Sequence, residues 1–178
     1  MDETKSYVDR RPTLAIISGR PGSGKSTLAR ALAVALSCPL VSRDEINEGM
    51  HRTLTHQPDP GGRNDVALRT FEAFFCVIEI LLTSGVTFVA EAAFQDRRWR
   101  IGLEPLLPLA SMKIVQCTID PDLAYQRVAR RRLQQHDPRP PTIRSFQPLS
   151  LVVPSLDVAT TDGYDPDLDK IIDFIIFE

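Results

Sequence analysis

The chain has 178 residues, of which 43% are hydrophobic and 25% charged, and a net charge of −2. That length suits one domain with a substantial core, and no apolar run comes near the roughly 18 residues of a membrane span. Membrane-spanning and collagen-like readings drop out, and the slight negative balance disfavours long nucleic acid as a partner, a local basic patch aside.

Residues 1–11 are charged and carry no apolar h-region or small-residue cleavage site, which predicts a flexible arm, a single domain over 12–178 and a cytoplasmic location. Cys38, Cys76 and Cys117 show no CxxC or Cys/His spacing and lie in apolar segments, the pattern of three buried thiols.

Residues 14–18 are apolar and partly β-branched and stand directly before a glycine-rich turn, as in a strand buried on both faces of a parallel sheet. A helix is expected over 25–36, with Leu28, Leu32 and Leu36 at spacing four and Pro39 as its stop. Residues 39–42 read as a second strand, after which Ser42 and Glu45 have the spacing of a capping box opening a helix to about Met50. Pro58, Pro60 and two glycines mark 51–62 as a loop. Asn64 or Asp65 can cap a long helix with Phe71, Phe75, Ile78 and Leu82 on one face and Gly85 at its end, and a third strand follows over 86–91.

A shorter helix interrupted by prolines is expected over 102–110, then a fourth strand over 113–119 and a helix opened by Pro121 that ends in a loop at Pro138, Pro140 and Pro141. The last repeat is a strand at 156–159, a turn at Asp162 and Gly163, and a helix with Asp165 as N-cap, Pro166 at its first position and Ile171, Ile172 and Ile175 inward. Strands alternating with helices predict an α/β fold, a parallel sheet covered on both faces.

The string GRPGSGKS at 19–26 fits G-x-x-x-x-G-K-S/T and lies between a predicted strand and a predicted helix. Such a P-loop binds a nucleoside triphosphate. Glycines at Gly19, Gly22 and Gly24 let the backbone N–H groups of Gly19, Arg20, Pro21, Gly22, Ser23, Gly24, Lys25, Ser26 and Thr27 (Pro21 excepted, which has none) wrap the phosphates beside a helix N-terminus. Lys25 reaches the β- and γ-phosphates in this arrangement, and Ser26 ligates Mg²⁺. A bare structural turn requires neither the lysine nor the hydroxyl.

In a doubly wound sheet the site lies outside the carboxyl ends of the strands. Asp44, just after the second strand, is placed to accept the proton of an acceptor hydroxyl, the alternative being an acid stabilised by the first helical turn. Glu91 closes an apolar run; it holds Mg²⁺ through water, orients the acceptor, or pairs with Arg97 or Arg98. Arg127, Arg130, Arg131 and Arg132 crowd one helix, and Arg127 and Arg131, one turn apart, are the pair to meet phosphate, against a solvated basic face for the rest. His51, His56 and His136 have no metal spacing and read as surface residues, and Trp99 reads as a half-buried packing residue in preference to a stacking platform.

With these residues in view, the chain resembles the small P-loop kinases of the group that includes zeta toxins, chloramphenicol phosphotransferase and the kinase domain of polynucleotide kinase. The resemblance spans nearly the whole chain. It rests on GRPGSGKST at 19–27, SRDEIN at 42–47, VAEAAF at 89–94, RVARRR at 127–132 and the closing TTDGYDPDLDKI. It implies a three-layer αβα P-loop NTPase fold with a five-stranded sheet in the order 2-3-1-4-5, Asp44 as the acceptor-activating aspartate, and Arg127 and Arg131 in a lid around 127–147. It also sets residues 157–162 near an adenine. Polynucleotide kinases carry an arginine three positions after the catalytic aspartate; Asn47 stands there in this chain.

The leading expectation is a kinase that moves the γ-phosphoryl group of Mg-ATP to a hydroxyl of a small molecule held by residues 45–62 and 94–100. ATP is preferred to GTP on the resemblance and for want of a guanine-reading N-K-x-D segment. A nucleotide-dependent switch with slow hydrolysis and a nucleic-acid 5′-hydroxyl kinase are the competing readings.

Overall fold

The computed structural model describes residues 11–54, 62–134 and 145–177. Five strands, β1 (Thr13–Gly19), β2 (Leu40–Ser42), β3 (Phe88–Glu91), β4 (Ser111–Thr118) and β5 (Ser155–Ala159), pair in parallel in the order 2-3-1-4-5. The order implied by the resemblance is the order observed. Around the sheet lie α1 (Lys25–Ala35), α2 (Arg43–Leu54), α3 (Gly62–Thr83), α4 (Asp96–Leu103), a 3₁₀ segment (Glu104–Leu109), α5 (Pro121–Gln134) and α6 (Leu168–Phe177).

Side chains alternate across a strand, so β1 feeds two cores. Leu14 and Ile16 join Phe74, Ile78 and Leu82 of α3 and Trp99 and Leu103 of α4. Ala15 and Ile17 join Leu28 and Leu32 of α1 and Ile171, Phe174 and Ile175 of α6. With both faces covered, β1 cannot show a hydrophobic-polar alternation, which is why it reads as a continuous apolar run. Each fully buried Leu, Ile or Phe contributes roughly 1.5–3 kcal/mol.

Several boundaries differ from expectation for local reasons. The helix after β2 runs on to Leu54, through the first residues of the expected 51–62 loop, and residues 55–61, with Pro58 and Pro60, lie outside the described residues. Helix α3 already starts at Gly62, so Asn64 and Asp65 fall inside it; its innermost ring is Phe74, fully buried, while Phe71 and Phe75 are only partly so. Gly85 does close it, at φ +74. The short helix expected over 102–110 is instead α4 followed by the 3₁₀ segment, because Pro105 and Pro108 favour the tighter turn only beyond Leu103.

Asp165 is no N-cap: its N–H and carbonyl bond the carbonyl and N–H of Ala159 at 3.0 and 2.8 Å. Asp167 caps α6, its Oδ1 accepting the Lys170 N–H at 3.0 Å, and both this bond and the Lys170 ammonium lower the Asp167 pKa. Of the three cysteines only Cys117 is buried; Cys38 is half-buried and Cys76 is exposed on α3. His51 is exposed, while His56, His136 and the prolines at 138, 140 and 141 lie outside the described residues, as do most of the 1–11 arm and positions 135–144 of the expected lid. No described helix is long and apolar enough to cross a membrane.

Candidate active site

Strands β1, β2 and β3 all run in one direction, so Gly19, Ser42 and Glu91 end at the same edge of the sheet. Between β1 and α1 the chain curls back on itself. The Ser23 N–H donates to Arg20 O at 3.1 Å, and the N–H groups of Thr27 and Leu28 donate to Gly24 O at 3.0 and 3.1 Å. The curl requires glycine most stringently at Gly22, which has φ +87 and where a Cβ would fall 2.3 Å from the Ala124 carbonyl oxygen of α5.

Thr160, directly after β5, braces the loop from behind. Its Oγ1 lies 2.6 Å from Ser23 O and 3.0 Å from Thr118 O, one proton shared between two carbonyls. Arg127 of α5 donates from Nη1 to Thr160 O at 3.1 Å and from Nη2 to Thr161 O at 2.8 Å. The P-loop, the end of β5 and α5 are therefore one hydrogen-bonded unit. Arg131 lies one turn farther along α5 and is exposed.

Glu91 is 1% exposed, and a carboxylate at that depth costs several kcal/mol unless it is paired. Its partners are on the P-loop and β2. Oε1 accepts from Ser26 Oγ at 3.1 Å and lies 3.5 Å from Lys25 Nζ, itself buried; Oε2 accepts from Ser42 Oγ at 2.9 Å. Neither Arg97 nor Arg98 supplies the pairing: the Arg98 guanidinium sits over the Phe71 ring at 5.3 Å.

Ser42 thus does more than cap a helix. The Glu45 N–H reaches its Oγ only at 3.5 Å, and the Glu45 carboxylate, which would complete the box, pairs with Arg30 at 2.6 Å. Ser18 Oγ donates to Phe94 O at 3.3 Å and so holds the segment leaving β3 against β1.

Cys117 lies beneath this cluster. Burial pushes its thiol up to about 12, with the Lys25 charge opposing and the Glu91 charge reinforcing the shift. At neutral pH it is a protonated, inert core group.

Asp44 stands in the first turn of α2, exposed, with Oδ1 3.2 Å from Arg43 Nη1. It borders a cleft of about 240 Å³ lined by Arg43, Asp44, Phe71, Ala93, Gln95, Arg98 and Trp99. Trp99 is 6% exposed and packs edge-on against Phe74 and Phe94, so its role is packing, with only a sliver turned to the cleft. Of the expected acceptor segments, 94–100 lines this cleft, whereas Phe71 enters from α3. The sequence offered no sign of Phe71 at the site, since the apolar face of its helix explains it fully, and the resemblance set Thr160 only within a loop near the adenine, not against the P-loop.

Residues 14–147 match the family model described as AAA domain. The chain belongs to the AAA domain family. The matched span holds the P-loop, Asp44, Glu91 and α5 and ends before Thr160. No curated protein matches it.

Among solved structures, it is similar to a candidate kinase from Chloroflexus aurantiacus J-10-fl, at 25% identity and a TM-score of 0.77 over 93% of this chain and 97% of that one. It also resembles the Mycobacterium tuberculosis APS kinase solved with AMPPNP and APS, at 16% identity and 0.63 over 92% and 97%. A third likeness is to a chain of the Pnkp1/Rnl/Hen1 RNA repair complex, at 20% identity and 0.59 over 73% of this chain and 40% of that one. The last two likenesses are of fold alone. Family and fold together make this AAA domain protein a nucleotide-binding P-loop protein with the architecture of small kinases.

Proposed function

We propose that the protein is a kinase of the cytoplasm that transfers the γ-phosphoryl group of ATP to a hydroxyl of a small molecule seated beside Asp44. The observation that carries this reading is the convergence at one sheet edge of Lys25, Ser26, Ser42 and Glu91, with Asp44 only two residues beyond Ser42. A P-loop alone would serve a switch equally well. A cleft bordered by Arg43 and Asp44, which directly follow the Ser42 that bonds Glu91, gives a second substrate a place to react.

In this reading Gly19, Arg20, Gly22, Ser23, Gly24 and Thr27 enclose the triphosphate with backbone N–H groups while Pro21 shapes the turn. Lys25 leaves Glu91 for the β- and γ-phosphates. The acceptor hydroxyl gives its proton to Asp44 as its oxygen bonds to the γ-phosphorus; the bond to the bridging oxygen breaks and ADP leaves with that electron pair. Arg127 and Arg131 bring charge to the transferring group, Arg127 also fixing the 157–162 loop near the base through Thr160 and Thr161.

A hydroxyl and a carboxylate in contact fit Mg²⁺, which is commonly held by one or two protein oxygens together with phosphates and water. Ser26 and Glu91 are the residues to hold it. When bound, Mg²⁺ neutralises charge on the phosphates.

The test is ADP release by wild type and Asp44→Asn, each offered pooled nucleosides, sugars, aminoglycosides, phenicols and short 5′-hydroxyl oligonucleotides. One small-molecule pool should raise turnover in the wild type alone. Equal slow hydrolysis in both proteins sinks Asp44 as the base and favours a nucleotide-dependent switch. Turnover raised only by oligonucleotides, and falling steeply with salt, favours a nucleic-acid end kinase instead.

A further inference from the structure

The acceptor cleft has a charge pattern of its own. Its lining holds two guanidinium groups, Arg43 and Arg98, and a single carboxylate, Asp44. Arg43 spends Nη1 on Asp44 Oδ1. Arg98 forms no ion pair with any described residue; its contact is with the face of Phe71, 5.3 Å from the ring centroid. Gln95 adds a carboxamide, and Phe71, with the exposed sliver of Trp99, supplies an apolar wall.

A guanidinium held over a ring face and paired with no carboxylate keeps N–H groups that can take two oxygens of a carboxylate or phosphate side by side. The stacking also restricts the side chain before any ligand arrives, which lowers the cost of ordering it. Elsewhere in the site the opposite economy holds, for the buried charges Lys25 and Glu91 neutralise each other. The lining of the cleft keeps a positive excess, and the cleft has room beside Asp44 for a further ligand.

We infer that the acceptor is itself an anion, a hydroxylated small molecule bearing a phosphate or carboxylate group that Arg98 grips while its hydroxyl faces Asp44, with Arg43 assisting. The volume of about 240 Å³ has room for about a single sugar ring. The two charged groups share one recognition chemistry, and matched probes separate them. This inference rests on the reading of the cleft as the acceptor site.

Binding is the measurement to make, by calorimetry on the full chain with Mg-AMPPNP present, so that it does not depend on turnover. The probes are glucose, glucose 6-phosphate and gluconate, and ribose against ribose 5-phosphate. The expected result is binding of at least one charged member at least tenfold tighter than its neutral parent, weakening as salt rises. Arg98→Ala should cost that ligand about 10- to 100-fold in affinity, as expected for the loss of charged hydrogen bonds. Arg98→Lys should recover part of the loss, and AMPPNP affinity should stay constant in both variants.

Neutral parents binding as well as their charged counterparts, no charged member binding, or indifference of a bound anion to Arg98→Ala would overturn the inference. The proposed kinase activity fails separately: a bound anion that is never phosphorylated defeats that reading and leaves the anion site standing, while phosphorylation of neutral acceptors alone does the reverse.

Discussion

On the phosphate side of the site, Ser23, Lys25, Ser42, Glu91 and Thr160 are each less than a tenth exposed and are held by hydrogen bonds or an ion pair to one another or to strand ends. On the side of the cleft, Asp44, Gln95 and Arg98 are exposed, and the ion pair of Arg43 with Asp44 joins neighbours in sequence. The first region is preorganised around a group common to every nucleoside triphosphate. The second is open to solvent, as suits the acceptor surface proposed for it. Substitutions on the two sides should therefore fail in different ways.

The largest expected effect is on the acceptor side. Asp44→Asn should lower kcat by about 10²–10⁴ through loss of the general base, with nucleotide affinity unchanged; a parallel fall in ATP affinity would erase the distinction between the sides. Lys25→Met should lower kcat/KM for ATP by about 10²–10³ and weaken AMPPNP binding as well, which calorimetry beside steady-state kinetics will show.

Gly22→Ala attacks the conformation of the loop. A left-handed backbone and a Cβ pressed on the Ala124 carbonyl should cost about 2 kcal/mol, a fall in Tm of about 4–8 °C by calorimetric scanning, together with lost nucleotide binding. Unchanged Tm would mean that α5 yields easily and the loop is less rigid than its contacts suggest.

Thr160→Val leaves Ser23 O without its hydroxyl, although Thr118 O keeps the Thr160 N–H at 3.0 Å. About 1 kcal/mol of stability and a raised KM for ATP are expected, with acceptor KM unmoved.

The smallest effect is a pH dependence. Cys117 has its pKa raised from an ordinary 9.0 to about 12, so above pH 9 the folded chain holds a proton that the unfolded chain loses. Its stabilising contribution is complete below pH 9 and is lost as pH rises toward about 12, about 1 kcal/mol of it by pH 10. Chemical denaturation at pH 8 and pH 10 should show a steeper loss in wild type than in Cys117→Ala, while exposed Cys76 should react with a thiol reagent in the folded protein.

The sequence by itself determined the elements whose information is local. The P-loop was legible because glycine, lysine and serine at fixed spacing are required by phosphate chemistry and little else, and β1 because a strand covered on both faces is apolar throughout. Gly85 was legible as a helix end because its left-handed backbone disfavours a side chain. The sheet order came with the resemblance, not with periodicity.

Tertiary structure alone decided what depends on partners distant along the chain. It joined Glu91 to Ser26 and Ser42, 65 and 49 residues away, where one apolar run ending in an acid had left three roles open. It turned Ser42 from half of a capping box into a partner of that acid, set Thr160 against Ser23 across 137 residues, and brought Phe71 of α3 beneath Arg98 of α4. The physical reason is the same in each case. A buried polar group takes whichever partner the packed sheet brings within hydrogen-bond reach, and no spacing along the chain encodes that partner.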